Sequence, residues 1–226
     1  MSGKAVVHPL YLEMDAGGRP FPVHASVIWD GTEATLVDAG IPGQLERIRS
    51  ALDALGIPFE AVARVLITHQ DRDHIGSLPE LIAAAGGRIE VMCHEVGKPY
   101  LEGRTPLAKS GTLATPVAVD RTFRDGELLP IAGGLRVVYT PGHTPDHASF
   151  YHEPSRTLVS GDALTAQDGV LLPFHPDFTA DKAEATRSIA KLAELEIDTV
   201  IAYHGGVCVG NIRERLQEIV ETAPRE

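Results

Sequence analysis

The segment THQDRDHIG, residues 68–76, carries four potential metal ligands within six positions: His69, Asp71, Asp73 and His74. Two carboxylates in so short a turn repel each other, and removing that charge from water is unfavourable unless a cation neutralises it. A divalent metal ion would do so, since imidazole nitrogens and carboxylate oxygens are its usual protein ligands. In the alternative interpretation, Asp73 caps the next helix in a solvated turn, which leaves both histidines without a role. The cluster therefore predicts a metal site.

Three further segments place a His or an Asp directly after a predicted strand. His143 lies in the sequence TPGHTP, Asp162 in SGD and His204 in AYHGG. Side chains at the carboxyl ends of strands meet at one edge of an α/β sheet, which is where such folds build their sites. Each residue alone is more simply a turn residue or a hydrogen-bonded core residue. Together with the cluster, the three residues predict one shared metal centre.

The elements that must position these side chains alternate between strand and helix patterns. Short β-type runs cover residues 34–37, 63–68, 135–140, 157–160 and 199–203. Apolar residues at helical spacing cover residues 44–55, 75–85, 181–195 and the segment after Asn211. Strands interleaved with helices predict an α/β or α+β fold with sheets covered by helices. Residues 95–117 and 167–179 fit neither pattern and are interpreted as irregular lids or connections.

Composition limits the classes of partner. With 226 residues, 43% of them hydrophobic, the chain is expected to form one domain over residues 1–226. The formal net charge of −11 argues against nucleic acid as a partner, because phosphate binding depends on clustered Lys and Arg. No apolar run is long enough for a signal peptide or a membrane span, so a cytoplasmic location without membrane contact is expected. Cys93 and Cys208 form no zinc-binding pattern.

The order of these motifs resembles the metallo-β-lactamase superfamily, which includes glyoxalase II and the acyl-homoserine lactonases. Five landmarks spread over almost the whole chain carry the resemblance: VDAG at 37–40, the cluster at 69–74, PGHT at 141–144, SGD at 160–162, and His204. The resemblance implies a four-layer αβ/βα sandwich of two similar halves, with metal ions at one edge of the paired sheets.

Carried over residue by residue, the resemblance implies two divalent ions per chain. The implied ligands are His69, Asp71 and His143 for the first ion, Asp73, His74 and His204 for the second, and Asp162 as a bridge between them. Asp38 is expected to orient a ligating imidazole rather than to bind metal itself.

One position departs from the superfamily's pattern. The usual cluster reads His-x-His-x-Asp-His, and here Asp71 takes the place of the second His. Zinc is the predicted ion. Carboxylate oxygen is a harder ligand than imidazole nitrogen, however, which weakens the case for zinc at the first site and favours iron or manganese as the alternatives there. The added negative charge should also raise the pKa of a metal-bound water.

Fingerprints of serine hydrolases, nucleotide hydrolases and dinucleotide-binding enzymes are absent from the sequence, so the metal centre must perform the chemistry. The hypothesis is a metallo-hydrolase whose metal-bound hydroxide attacks a small-molecule ester, lactone, thioester or amide. Asp73 is expected to pass a proton to the leaving group. Tyr100, Phe174 and His175 are candidate substrate contacts, and His147 is interpreted as structural or exposed.

Two alternatives stay open at this point. A non-haem iron oxidative enzyme on the same fold, similar to a persulfide dioxygenase or a diiron protein, would suit a site with two histidines and one carboxylate. A metal-binding protein without turnover is the other alternative.

Overall fold

The computed structural model describes residues 5–15 and 20–222. The remaining residues of the predicted domain 1–226, including the first four and the last four, lie outside these ranges. Across the described residues the strands are β1 (Val6–Asp15), β2 (Pro20–Trp29), β3 (Ala34–Val37), β4 (Val62–Ile67), β5 (Glu90–His94), β6 (Arg121–Phe123), β7 (Leu128–Leu129), β8 (Leu135–Tyr139), β9 (Ala148–His152), β10 (Thr157–Gly161), β11 (Leu164–Gln167), β12 (Val170–Pro173), β13 (Thr199–Ala202) and β14 (Gly206–Val209). The α-helices are α1 (Leu45–Ala54), α2 (Arg72–Ile75), α3 (Leu78–Ala84), α4 (Lys98–Leu101), α5 (Lys182–Leu192) and α6 (Ile212–Thr222).

Two six-stranded sheets carry the fold. In the first sheet, strands β1 to β6 follow chain order, with antiparallel pairing from β1 to β3 and parallel pairing from β3 to β6. In the second sheet the order is β14-β13-β10-β9-β8-β7, in which β10 and β13 are parallel and the other neighbours are antiparallel. Strands β11 and β12 form a separate hairpin.

The two sheets pack face to face, and helices cover their outer faces. Phe123 and Leu66 of the first sheet share one apolar cluster with Phe150 and Val137 of the second. A second cluster joins α1 and α3 to the outer face of the first sheet, and a third joins α5 and α6 to the second sheet. The prediction of a four-layer αβ/βα sandwich is confirmed. Among the described helices, none combines the length and the hydrophobicity needed to cross a membrane.

The predicted helix over residues 75–85 is wrong as a single element, because the chain forms α2 and α3 with a break at Gly76 and Ser77. A Cβ on Gly76 would lie 2.3 Å from Pro42 Cδ, so the backbone passes too close to that turn for a side chain. Ser77 Oγ accepts a hydrogen bond from the Gln44 N–H at 2.7 Å and donates one to the Ile41 carbonyl oxygen. These contacts keep α2, which carries Asp73 and His74, as a short separate turn.

The β1–β2 hairpin was not predicted from the sequence, because prolines interrupt both runs. Pro9 is tolerated because β1 is an edge strand that pairs only with β2. Pro22 is tolerated because β3 pairs with β2 over Ser26 to Trp29 alone, which leaves Pro22 with one partner strand.

The two stretches predicted to be irregular differ in outcome. Residues 167–179 contain β12 and a 3-10 turn at Pro176–Phe178, so the irregular assignment is wrong there. Val170 and Gln167 pair across the hairpin turn and give this stretch a regular register. In residues 95–117, all of which are described, α4 is the one regular element.

Packing between the sheets generates the first prediction. Phe150 is fully buried and contacts Phe123 edge to face, with ring centroids 5.3 Å apart. We expect Phe150→Ala to lower the free energy of unfolding by about 3–5 kcal/mol, because it leaves a cavity between two sheets that cannot close on it. The matched control is Phe178→Ala, at a side chain that is 61% exposed, where the change should stay within about 0.5 kcal/mol. Equal losses of unfolding free energy in denaturant titrations of Phe150→Ala and Phe178→Ala would contradict this packing.

Candidate metal centre

Strand ends and the turns that follow them bring the predicted ligands to one edge of the two sheets. The chain leaves β4 at Ile67 and enters α2 at Arg72, so His69 and Asp71 lie in the loop between them and Asp73 and His74 lie in α2. The loop after β8 and the ends of β10 and β13 supply the other side chains from the second sheet. The structure brings together all seven residues that the sequence analysis gave as candidate metal ligands: His69, Asp71, Asp73, His74, His143, Asp162 and His204.

A first group of donors surrounds the imidazole of His143. Its Nε2 atom lies 3.1 Å from Asp71 Oδ2 and 3.2 Å from Asp162 Oδ2. His69 Nε2 lies 3.3 Å from the same oxygen of Asp71. One donor atom each from His69, His143 and Asp162 falls within 4.8 Å of the others, which suits a shared cation.

A second group of donors consists of Asp73, His74 and His204, again with one donor atom each within 4.8 Å of the others. Asp73 Oδ2 lies 3.3 Å from His204 Nε2 and 3.7 Å from His74 Nε2. Asp162 Oδ1 lies 3.4 Å from His74 Nε2, and Asp162 Oδ2 lies 3.4 Å from His204 Nε2. Asp162 therefore faces both groups. Tyr203 closes the back of this group, since its ring stacks on His74 with centroids 3.7 Å apart.

Several of the atoms that could bind a metal ion and that face the centre have no hydrogen-bond partner. Among the described residues, His69 Nε2, His74 Nε2 and Asp162 Oδ1 are buried without one. The opposite nitrogens of both rings are occupied, by Thr68 Oγ1 at His69 Nδ1 and by Asp38 Oδ2 at His74 Nδ1. Buried polar atoms are nearly always paired in native proteins. The donor set therefore fits a metal ion, which would satisfy these atoms.

Asp38 lies behind the cluster, in contact with Thr68 and His74. Its Oδ1 atom accepts a hydrogen bond from the Thr68 N–H at 2.8 Å. Its Oδ2 atom accepts from Thr68 Oγ1 and faces His74 Nδ1, both at 2.8 Å. The backbone of Asp38 has a φ of +65°, a conformation that Asp and Asn adopt more readily than other side chains. Asp38 thereby fixes the ring of His74 so that Nε2 points into the centre.

His147 has a positioning contact that sequence reasoning missed. It is fully buried, and its Nε2 atom accepts a hydrogen bond from the Asp162 N–H at 2.9 Å. Burial lowers the pKa of His147 well below its ordinary value, so the ring is neutral and can accept. A Cβ on Gly161 would lie 2.7 Å from His147 Nε2, which explains the glycine. The available signal was the place of His147, four residues after His143 in the same loop.

Lys109 also contacts the first group, and nothing in the sequence motif points to it. Its Nζ atom lies 2.5 Å from Asp71 Oδ2 and 2.6 Å from His143 Nε2. Although burial raises the pKa of Asp71, its electrostatic interaction with His69, its hydrogen bonds with His143 and His69, and the nearby Lys109 hold that pKa well below its usual range. Asp71 is therefore an ionised carboxylate with an ammonium group beside it.

Opposite charges couple strongly in the second group. Burial alone would lower the pKa of His74 and His204, but Asp162 and its neighbouring carboxylates raise that of His74 well above its ordinary value. They raise the pKa of His204 to about 9. Burial raises the pKa of Asp162, yet these two imidazoles hold it well below its usual range. In the metal-free protein the second group is thus a protonated, ion-paired cluster.

A cavity of about 610 Å³ opens onto both groups of donors. Phe21, Leu172 and Phe178 give it apolar walls, and the candidate contact His175 also lines it. Of the other two candidate contacts, Phe174 is 1% exposed in the core of the second half, and Tyr100 packs against the core of the first. Neither is a wall of the cavity. The centre therefore lies at the bottom of a largely apolar pocket.

Across most of its length the chain is similar to proteins of one superfamily. The family model of the metallo-beta-lactamase superfamily matches residues 18–204. The chain is 29% identical over 223 residues to the uncharacterized protein YobT of Bacillus subtilis, covering 91% of this chain and 92% of that protein. It is 31% identical over 215 residues to the probable metallo-hydrolase YflN of the same bacterium, covering 81% and 80%. A solved metallo-beta-lactamase from Pontibacter korlensis matches with a TM-score of 0.72 and 20% identity over 96% of this chain and 95% of that one, a likeness of fold.

The ion-paired second group predicts that metal binding releases protons. Because the pKa of His204 is raised to about 9, its imidazole carries a proton near neutral pH, and a metal ion must displace it. Zn²⁺ affinity should therefore rise with pH and level off above about 9. Calorimetric titration of metal-free protein with Zn²⁺ in two buffers of different ionisation enthalpy measures the release. Proton release should fall in His204→Gln and persist in the control His175→Gln. Identical Zn²⁺-binding enthalpies of the wild-type protein in both buffers would show that no proton is released.

The contacts of Asp38 predict an effect on metal affinity without direct contact to the metal. Asp38→Asn keeps the backbone conformation and one acceptor oxygen but turns an amide N–H₂ toward His74 or Thr68. We expect Zn²⁺ affinity to fall about 10- to 100-fold, because the orienting acceptor of His74 is lost. The control is Asp30→Asn, whose exposed carboxylate accepts from Thr32 and Glu33 in a distant turn. Unchanged Zn²⁺ affinity in Asp38→Asn would show that His74 needs no such support.

Proposed function

The chain belongs to the metallo-β-lactamase superfamily, and from this premise we propose that it is a metal-dependent hydrolase of small esters, lactones, thioesters or amides. The observation that carries the proposal is the set of buried, unpartnered atoms of His69, His74 and Asp162, beside a cavity that Asp73, Asp162 and His204 help to line. Such atoms suit a resident metal ion, and the apolar walls suit a small organic substrate. The relatives YflN and YybB, both named probable metallo-hydrolases, support the same class of activity.

The proposed centre holds two divalent ions, with zinc as the expected metal and iron or manganese as alternatives. The first group of donors, with Asp71, would hold one ion and the second group the other, with Asp162 shared between them. When bound, the metal would supply Lewis-acid activation of the carbonyl group and a hydroxide nucleophile at neutral pH. Asp71 adds a hard oxygen ligand and a negative charge to the first group.

Side chains of this chain would perform the remaining steps. Asp73 borders the cavity and its side chain is 30% exposed, so a substrate can reach its carboxylate. We assign it the transfer of a proton to the leaving group. Phe21 and Phe178 would hold the apolar part of the substrate and exclude water from the reacting bond.

One observation favours a second candidate. His69, His143 and Asp162 form a set of two histidines and one carboxylate, the donor set of many non-haem iron oxygenases. An iron-dependent oxidative enzyme on this fold would consume oxygen and would not require the second group of donors. Oxygen uptake therefore distinguishes it from the hydrolase.

The experiment combines metal analysis with a panel of p-nitrophenyl esters, acyl thioesters, lactones and β-lactams. Chelation should reduce hydrolysis about 100-fold or more, and added Zn²⁺ should restore it, because the metal supplies several kcal/mol of transition-state stabilisation. Asp162→Asn should show the same loss. Asp125→Asn, at an exposed carboxylate that pairs with Lys191, should retain activity. Hydrolysis that survives chelation, or oxygen uptake in its place, would overturn the proposal.

A further inference from the structure

The ammonium group of Lys109 lies among the donors of the first group. Its Nζ atom is within 2.5 Å of Asp71 Oδ2 and 2.6 Å of His143 Nε2, so it lies between two atoms proposed to bind the same ion. The Lys109 side chain is 30% exposed, and Asp71 is 14% exposed. A cation of the protein itself therefore already neutralises this side of the centre.

The turn that carries Lys109 is tied to the ligand cluster by hydrogen bonds of Gln70. Gln70, which lies between two of the proposed ligands, accepts a hydrogen bond from the Ala108 N–H at 2.6 Å. Its amide nitrogen donates to Asp146 Oδ1 at 2.9 Å, and both Gln70 and Asp146 are buried. The Gly111 N–H donates to the Leu107 carbonyl oxygen and closes the turn. These bonds fix the backbone on both sides of Lys109, from which its side chain reaches the first group.

The charges of the centre balance with one metal ion and Lys109. Asp71, Asp73 and Asp162 contribute three negative charges, and one divalent ion with one ammonium group contributes three positive charges. A second divalent ion at the first group would face the ammonium group at contact distance in a poorly solvated pocket, where like charges repel strongly. The second ion and the Lys109 ammonium therefore compete for the same oxygen and nitrogen.

We propose that Lys109 is a built-in cation of the first group, so that the centre loads its ions in a fixed order. The second group, Asp73, His74 and His204 with Asp162, takes the first ion. A further ion enters the first group only as Lys109 leaves Asp71 and His143 for the solvent. This inference rests on the proposed function, because it assumes that both groups of donors bind metal.

Calorimetric titration of the metal-free full-length protein with Zn²⁺ alone tests the order. In wild type, one ion should bind tightly and a second more weakly. In Lys109→Met, which keeps the aliphatic stem, the second ion should bind about 10- to 100-fold more tightly, because the charge-assisted contacts that it displaces are gone. Lys191→Met is the control, since its ammonium contacts Asp125 and the Tyr139 carbonyl oxygen, and it should behave as wild type.

A second measurement needs no variant. Acetylation of Lys109 by a trace amine reagent, followed by mass spectrometry, should stay low after one equivalent of Zn²⁺ and rise with excess Zn²⁺ as the ammonium enters solvent. Equal second-site affinities in wild type and Lys109→Met, or a fall in labelling with excess Zn²⁺, would overturn the inference while leaving the hydrolase proposal intact. If wild type, Lys109→Met and Lys191→Met all failed to bind Zn²⁺, both this inference and the hydrolase proposal would be overturned.

Discussion

The structure depends on one electrostatic constraint: three carboxylates and four imidazoles share a small, poorly solvated space at the edge of two sheets. Carboxylates so close together are unfavourable unless positive charge lies between them. Without metal, the positive charge comes from protons on His74 and His204 and from the ammonium group of Lys109. Asp162 is the centre of this arrangement, since its oxygens face both groups of donors.

The fold meets this constraint by holding the ligands through atoms that do not face the centre. Asp38 holds His74, and His147 accepts from the backbone of Asp162. Tyr203 stacks on His74 and donates its hydroxyl hydrogen to the Asp73 carbonyl oxygen. These supports come from strand ends of both sheets, so the face-to-face packing of the sheets sets the geometry of the centre. Rigid supports of this kind limit how far a ligand can move when charge changes.

The sequence pattern predicted sheets covered by helices, and the resemblance to the superfamily implied the four layers. The seven residues that cluster could be picked out because each lies in a short motif that follows an apolar run. The sequence could not predict the β1–β2 hairpin, because Pro9 and Pro22 are tolerated only through edge positions that the sheet order creates. His147 is buried and structural, but its contact with the Asp162 N–H, fifteen residues away, could not be predicted from the sequence. Contacts between distant segments have no local periodicity, so motif reading does not find them.

Asp71 departs from the superfamily's motif, and its role in the centre depends on a contact that only the three-dimensional structure reveals. Read from the sequence alone, an Asp in place of a His changes the hardness of a metal ligand. In the structure the same carboxylate also accepts a hydrogen bond from the ammonium group of Lys109, 38 residues later in the chain. A histidine at this position would be a neutral partner at best, or a repelling one if protonated, and would remove the reason for a lysine to approach. Asp71 and Lys109 are therefore one feature, a charge pair that sets the net charge of the first group and with it the ease of placing a metal ion there.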